Sequence, residues 1–295
     1  IDAMDPDRYE IYPIGIDKSG RWITQGDALA LLSARAEAPP ALQAADPVDG
    51  LERVGDGRRD LVPGTCDSRF PQVDVVFPVL HGPYGEDGTV QGLLELADLP
   101  YVGAGVLGSA LGMDKAAMKA VLLAQQFPVV DYAVVMRRTW RAQPEQEIAR
   151  IEASFAYPVF VKPANLGSSV GVSKAHDRAE LVRGLDLAAR FDRKLLVEQA
   201  VNAREIECAV LGNDEPIASV VGEVVPCNEF YDYSAKYVSP DSRLYIPADL
   251  PVTVAEEVRD LAVRAFVALD CAGMARADFF VSRDTGKVYI NELNT

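Results

Sequence analysis

The sequence predicts a three-lobed chain, the first lobe α/β and the other two α+β, and three observations carry that prediction. A length of 295 residues is enough for two or three separate cores. Residues 74–97 run as an apolar stretch, a glycine-rich loop and a helical pattern, the order of a parallel α/β unit. From Arg204 onward the texture changes to strands with one long helix among them.

Composition bounds the function. Asp plus Glu number 44 against 29 Lys plus Arg, a net charge of −15. That field repels phosphate backbones and anionic lipid surfaces, so no nucleic-acid or membrane partner is expected. No apolar run reaches the roughly 18 residues that a membrane span needs. Cys66, Cys208, Cys227 and Cys271 lie far apart with no CxxC pair, which fits neither a disulfide framework nor a zinc ribbon and points to a reducing cytoplasm. With only His81 and His176 available, a metal would be held by carboxylates and amides, Mg²⁺ being the expected ion.

Taken in order, residues 9–16 read as a strand, 27–37 as a short helix, and 38–70, rich in Pro, Gly, Asp and Arg, as an irregular surface excursion. Residues 74–80 (DVVFPVL) are an apolar run of the buried-strand type, followed by loop 81–88 and a helix over 89–97. A helix over 114–126 leads to strand 129–136, helix 145–155 and strand 159–164. After a Gly-Ser loop come strand 170–174, helix 177–191 and strand 195–199. Strands 206–211 and 217–225 follow, then a polar, tyrosine-rich loop over 228–242. Val254, Val258, Leu261, Ala262, Ala265, Phe266 and Leu269 form a helical stripe, so 252–270 is a helix covering a sheet. Strands 274–282 and 288–294 come last.

That final hairpin carries the clearest geometry. Asp284-Thr285-Gly286 suits a three-residue loop with Gly in the left-handed region, which would pair Arg283 with Lys287. Counting inward, Asp278 faces Glu292 and Arg276 faces Asn294, all on one sheet face. Opposed carboxylates about 5 Å apart destabilise a hairpin unless a cation sits between them. Asp, Glu and Asn are hard oxygen ligands suited to Mg²⁺ carrying nucleotide phosphates. A solvated sheet face ranks second, because Phe279, Val281 and Ile290 make the opposite face core. A two-residue turn would slip the register and dissolve the pairing.

Other stretches are weaker singly. Gly167, Ser168, Ser169 and Gly171 permit a backbone whose N–H groups converge on an anion, with Lys162 at the end of the preceding apolar strand. There is no GxxxxGK[ST] motif, and taken alone a glycine-rich hairpin turn is the better reading. Residues 195–201 (LLVEQAV), then Glu205 and Glu207, make an apolar strand ending in acids, able to offer backbone groups to an adenine and a carboxylate to a ribose. In isolation, surface acids are favoured there. Loop 81–88, with His81 and Glu86, lies beyond the carboxyl end of a parallel strand, where open α/β sheets bind ligands; a lone His there is more often structural. Ser168 has no evident basic partner, so nucleophilic serine catalysis is the weaker account.

Together these stretches resemble the D-alanine:D-alanine ligases of the ATP-grasp superfamily. The motifs are VVFPVLHGPYGEDGTVQGLLELADLPYVGAG (75–105), GMDKAAMK (112–119), VFVKPANLGSSVGVSK (159–174), VEQAVNAREIEC (197–208), FYDYSAKY (230–237), GMARADFF (273–280) and INELNT (290–295), in one order. The resemblance implies an ATP-grasp fold with an N-terminal parallel α/β domain over 1–103, a central subdomain over 104–197 and a C-terminal subdomain over 198–295. It implies ATP-dependent joining of two D-alanines through an acyl phosphate, for peptidoglycan precursors, by a cytoplasmic homodimer. In that family Lys115 and Lys162 would hold ATP phosphates, and Glu198, the backbone at Gln199 and Val201, and Glu205 would hold adenine and ribose. Ser169 and Lys236 would touch the transferred phosphoryl, and Arg276 would face the tetrahedral intermediate. Two Mg²⁺, or Mn²⁺, would sit on Asp278, Glu292 and Asn294. His81 and Glu86 would line the substrate side, and Ser168 with Tyr237 would close the cleft, loop 228–242 being mobile until nucleotide orders it.

A relative making D-alanyl-D-lactate or another product, and a nucleotide-binding protein without turnover, remain alternatives; YDYSAKY, with Tyr237, suits the dipeptide-forming type. The family pattern also places a Glu-bearing loop ahead of Ile1 and a Pro-Gly segment after Thr295. The sequence is therefore expected to be truncated at both ends, binding Mg-ATP but joining D-alanine poorly.

Overall fold

The computed structural model describes residues 4–16, 22–23, 73–167, 169–225 and 243–295. The expected helix 27–37, the excursion 38–70 and the loop 228–242 lie outside the described residues. Two compact units are formed, Ile1–Asp74 and Val75–Thr295. In the first, the strand expected over 9–16 is confined to β1 (Gly15–Ile16), antiparallel to β2 (Trp22–Ile23).

In the second unit the apolar run expected as a strand over 74–80 contributes one parallel bridge, Val76 to Tyr101. Phe77 and Val79 are exposed, so this run does not behave as a buried strand. Helix α1 (Thr89–Leu96) begins where Asp87 Oδ1 accepts from the Thr89 N–H at 3.0 Å. Helix α2 (Val106–Met113) was not expected. Its Gly108 lies against the Asp270 backbone, where a Cβ would come within 2.7 Å of the carbonyl oxygen. Helix α3 (Lys115–Ala124) follows directly.

Two antiparallel sheets make up the rest. The first contains β3 (Tyr132–Met136), β4 (Val159–Pro163), β5 (Ser173–Ala175) and β6 (Lys194–Gln199), in the order β3-β6-β4-β5. Helices α4 (Arg137–Ala142), α5 (Pro144–Ser154) and α6 (Arg178–Phe191) accompany it, α4 being unforeseen. Leu181, Leu185 and Ala188 are spaced to fall on one face of α6, and they share a fully buried core with Val161 and Leu195.

The second sheet contains β7 (Ala203–Gly212), β8 (Ile217–Val225), β9 (Arg243–Tyr245), β10 (Gly273–Ser282) and β11 (Val288–Asn294), in the order β11-β10-β7-β8-β9. Helix α7 (Val252–Ala268) lays its predicted stripe on it: Val258, Ala262, Ala265 and Phe266 pack with Ile206, Phe279 and Ile290. Ala104, Met118, Leu122, Phe127 and Val129 belong to the same core. With that face apolar, period two turns Arg276 and Asp278 to the other, and Glu292 joins them because the phase of β11 shifts by one residue between Ile290 and Glu292.

The hairpin corrects one expectation. The Ser282 N–H donates to the Lys287 carbonyl at 2.9 Å, and the Gly286 N–H to the Ser282 carbonyl at 2.9 Å. The loop is therefore four residues long, with Gly286 left-handed (φ 71°), and Arg283 does not pair with Lys287. Pairing runs Val281 with Val288 to Phe279 with Ile290, a register that by itself would set Asp278 against Asn291. A bulge then adds one residue to β11, and Asp278 meets Glu292, and Arg276 meets Asn294, as expected.

Candidate active site

A cleft of about 840 Å³ opens between the first sheet, the Gly-Ser loop and the final hairpin. Of the residues singled out in the sequence, Glu86, Lys115, Lys162, Ser169, Glu198, Gln199, Val201, Glu205, Asp278, Glu292 and Asn294 line it. Arg276 is not in the lining and reaches it through Asp278. His81 is exposed and outside the lining, beside Gly82. Ser168, Lys236 and Tyr237 lie outside the described residues.

Lys115 is the first residue of α3 because Asp114 caps that helix: Asp114 Oδ1 accepts from the N–H groups of Ala116 at 3.1 Å and Ala117 at 3.0 Å. Asp114 Oδ2 pairs with Lys194. Burial works against the charged carboxyl, but Lys194 and the Ala117 N–H outweigh it and hold Asp114 below its ordinary pKa. The Lys115 N–H donates to the Ala164 carbonyl at 3.0 Å. Its Nζ donates to the Leu166 carbonyl at 2.7 Å and lies 3.4 Å from Glu292 Oε2. One residue thus joins the end of β4, the Gly-Ser loop and β11.

One helical turn further on, Lys119 is entirely buried, with Nζ 3.2 Å from Glu198 Oε1, while Lys162 Nζ is 2.6 Å from Glu198 Oε2. Burial opposes the charged form of Glu198, yet the two ammonium groups hold its carboxyl below the ordinary value. Burial also opposes charge on Lys162, but Glu198 and Glu292 raise its pKa overall. For Lys119 burial prevails over Glu198, and its pKa is lowered. The sequence alone points to no role for Lys119. Its signal was the four-residue spacing from Lys115 on a helix otherwise made of Ala, Met, Val and Leu.

Across the cleft, Arg276 grips Asp278 with Nε to Oδ1 at 2.7 Å and Nη2 to Oδ2 at 2.8 Å. Asn294 Nδ2 donates to Asp278 Oδ2 at 2.9 Å. Burial pushes the Asp278 carboxyl up to about 6 against the pull of Arg276, with Glu292 and Glu207 adding repulsion. Asn291, the residue added by the bulge, lines the cleft with its Oδ1 buried and lacking a hydrogen-bond partner. An Asp278 carboxyl of raised proton affinity, crowded by Glu292 and Glu207 and set beside an orphaned amide oxygen, fits a divalent cation such as Mg²⁺. Among the described residues no cluster of three or more His, Cys, Asp or Glu could hold a metal, so the donor set depends on amide oxygens.

The Gly-Ser loop is built from tight turns: Ser169 has φ 58° and Gly171 φ 73°, and the Val172 N–H donates to the Ser169 carbonyl at 3.3 Å. It approaches loop 81–88 closely, since a Cβ on Gly167 would lie 3.6 Å from Gly82 Cα. Glu86 accepts from the Gly82 N–H and so closes that second loop. The Gln199 N–H donates to the Asp131 carbonyl at 3.0 Å, and its side-chain Nε2 donates to the carbonyls of Ala156 at 2.9 Å and Pro158 at 3.1 Å.

Two antiparallel sheets enclosing paired lysines on one side and hard oxygen donors on the other define the ATP-grasp fold. The structure of the VanG D-Ala:D-Ser ligase from Enterococcus faecalis superposes with a TM-score of 0.78 at 33% identity, covering 100% of this chain and 82% of that one. That of the D-alanine-D-alanine ligase from Coxiella burnetii gives 0.70 at 35%, covering 96% and 74%. Family models described as D-ala D-ala ligase N-terminus and C-terminus match residues 1–104 and 121–295, and the chain belongs to the D-alanine–D-alanine ligase family. The D-alanine–D-alanine ligase of Acetivibrio thermocellus is 49% identical over 98% of this chain and 79% of its own length. That of Ruminiclostridium cellulolyticum is 50% identical over 100% and 80%. Among the described residues no helix is long and apolar enough to cross a membrane.

Proposed function

We propose that this protein joins two D-alanines to D-alanyl-D-alanine using ATP. The observation that carries this reading is the bridging position of Lys115, which brings the Glu198–Lys162 wall and the Asp278–Glu292–Asn294 wall into one cleft. Lys115 and Lys162 hold phosphate oxygens; Glu198, Glu205 and the backbone near Val201 hold the nucleoside. Ser169 and Lys236 meet the transferred phosphoryl, His81 and Glu86 bound the substrate end, and Ser168 with Tyr237 ties the closing segment down. Two divalent cations on Asp278, Glu292 and Asn294 would neutralise charge on the phosphates.

The γ-phosphoryl passes to a carboxylate oxygen of the first D-alanine as its bond to the β-phosphate oxygen breaks, releasing ADP. The amino group of the second D-alanine then attacks the acyl carbon, phosphate leaves and the amine loses a proton. Hydroxide is a poor leaving group and phosphate a good one, which is why activation is needed. Lys115 and Lys162 orient the phosphates and balance their charge, and Arg276 faces the developing oxyanion.

A D-alanine:D-serine or D-alanine:D-lactate specificity is the second reading, kept because a D-Ala:D-Ser ligase matches the fold over the whole chain. Phosphate release that depends on D-alanine separates an enzyme from a nucleotide-binding protein without turnover. Product mass with D-alanine, D-serine or D-lactate as second substrate separates the ligases. The three-part division at 103/104 and 197/198, a homodimer and a cytoplasmic location complete the proposal; the free thiols of buried Cys208 and Cys271 suit a reducing compartment. Sedimentation equilibrium tests the dimer.

A further inference from the structure

We propose that Lys119 is a positioning residue that acts through Glu198, balancing its carboxylate so that the charge of Lys162 is left for an anionic ligand. This rests on the reading of the cleft as a nucleotide site.

Lys119 has no exposed surface and does not line the cleft, whereas Glu198 and Lys162 do. It cannot touch a ligand there directly. The Glu198 carboxylate is divided, one oxygen towards Lys119 at 3.2 Å and the other towards Lys162 at 2.6 Å. The Lys119 ammonium lacks a well-aligned hydrogen bond and lies 5.9 Å from the Tyr132 ring centroid, so it acts as a charge more than as a donor. Burying such a charge is costly, and an apolar residue of similar length would pack there more cheaply.

Counting charges supplies the reason for keeping it. Glu198 with Lys162 alone is a neutral pair and presents phosphates with no net charge. With Lys119 the group carries one positive charge in excess, and Lys162 is the lysine that reaches the cleft. Glu198 and Glu292 raise the proton affinity of Lys162 against burial, whereas burial lowers that of Lys119 against the pull of Glu198.

The test compares Kd for ATP and for adenosine, by calorimetry in metal-free buffer at fixed ionic strength, in the wild type, Lys119→Met and the double variant Lys119→Met/Glu198→Gln. Adenosine carries no charge, so a packing defect weakens both ligands and leaves the ratio of the two constants unmoved. The preference for ATP should fall on the order of tenfold in Lys119→Met and return in the double variant, where Lys162 again has no carboxylate to neutralise it. A preference unchanged in Lys119→Met, or equally reduced in both variants, overturns the proposal. If Lys119→Met does not fold, Glu198→Gln decides: with Lys119 retained and the carboxylate gone, the preference for ATP over adenosine should rise on the order of tenfold, and an unchanged or lowered preference overturns the proposal. A wild type that binds neither ligand overturns the nucleotide reading and this inference with it, a result distinct from an unchanged preference.

Discussion

Asp278 and Glu292 face each other across the β10–β11 hairpin, and each is answered by a cation from a different place: Arg276 grips the first, and Lys115 stands 3.4 Å from the second. A metal entering here takes over a countercharge already provided. Asp278→Asn keeps the side-chain shape and removes the charge. It should lower kcat on the order of 10²- to 10³-fold, as losing one preorganised electrostatic group does, with the thermal transition little changed. Turnover at several Mg²⁺ concentrations checks this, and an unaltered Mg²⁺ dependence would remove Asp278 from the metal site.

Asp114 links helix capping to the cleft. Asp114→Ala frees the N–H groups of Ala116 and Ala117 and strands Lys194. The expected loss is about 1–2 kcal/mol of stability, read as a lower urea midpoint at constant slope. ATP affinity should fall too, because Lys115 starts the helix that Asp114 anchors. Unchanged affinity in a destabilised variant would mean that the cap does not position Lys115.

Arg204 and Glu223 form a two-pronged ion pair at 2.7 and 2.6 Å. Hydrogen bonding to Arg204 holds the Glu223 carboxyl below its ordinary value of 4.5, against the opposing effect of burial. A depressed carboxyl contributes stability above its unfolded pKa and loses it as the pH falls through the folded one. Glu223→Gln should therefore cost about 2 kcal/mol at pH 7, a gap that narrows below pH 4.5. Urea titrations across that range measure it; a gap that stayed constant would contradict the assignment.

Gly184 lets α6 approach the first sheet: a Cβ there would meet Ser173 Oγ at 2.5 Å and Val161 Cγ2 at 3.1 Å. Gly184→Ala gains about 1 kcal/mol in helix propensity, but overpacking costs about 1–3 kcal/mol. Net destabilisation is expected, and it should shrink in a Ser173→Ala background. Equal costs in the two backgrounds would place the strain elsewhere.

Regular elements were legible wherever side-chain period and burial agree, as in the α7 stripe of Val258, Ala262, Ala265 and Phe266. Helix α2 was not, because VLGSALGM is rich in small residues whose value lies in close approach to distant backbone. The opposition of Asp278 and Glu292 follows from residue spacing only because two single-residue differences cancel, a longer turn and the bulge at Asn291, and neither leaves a mark in local sequence. Lys119 was invisible because a lysine reads as a surface residue until the carboxylate that meets it, 79 positions later in the chain, is brought beside it.

The core that Met118 and Leu122 of α3 share with Phe266 of α7 and with Ile290 also sets an order of events during synthesis. The first sheet and its helices draw their core from Val135 to Val197 and can close once that stretch has left the ribosome. Helix α3 must wait for α7 and for the second sheet, which is complete only with β11, and at roughly 5–20 residues per second that interval is on the order of ten seconds. Throughout it the nascent chain carries a finished half beside an uncovered apolar helix face. Chaperone capture and aggregation compete for that face, so slower translation of residues 203–294 should lower the yield of folded protein.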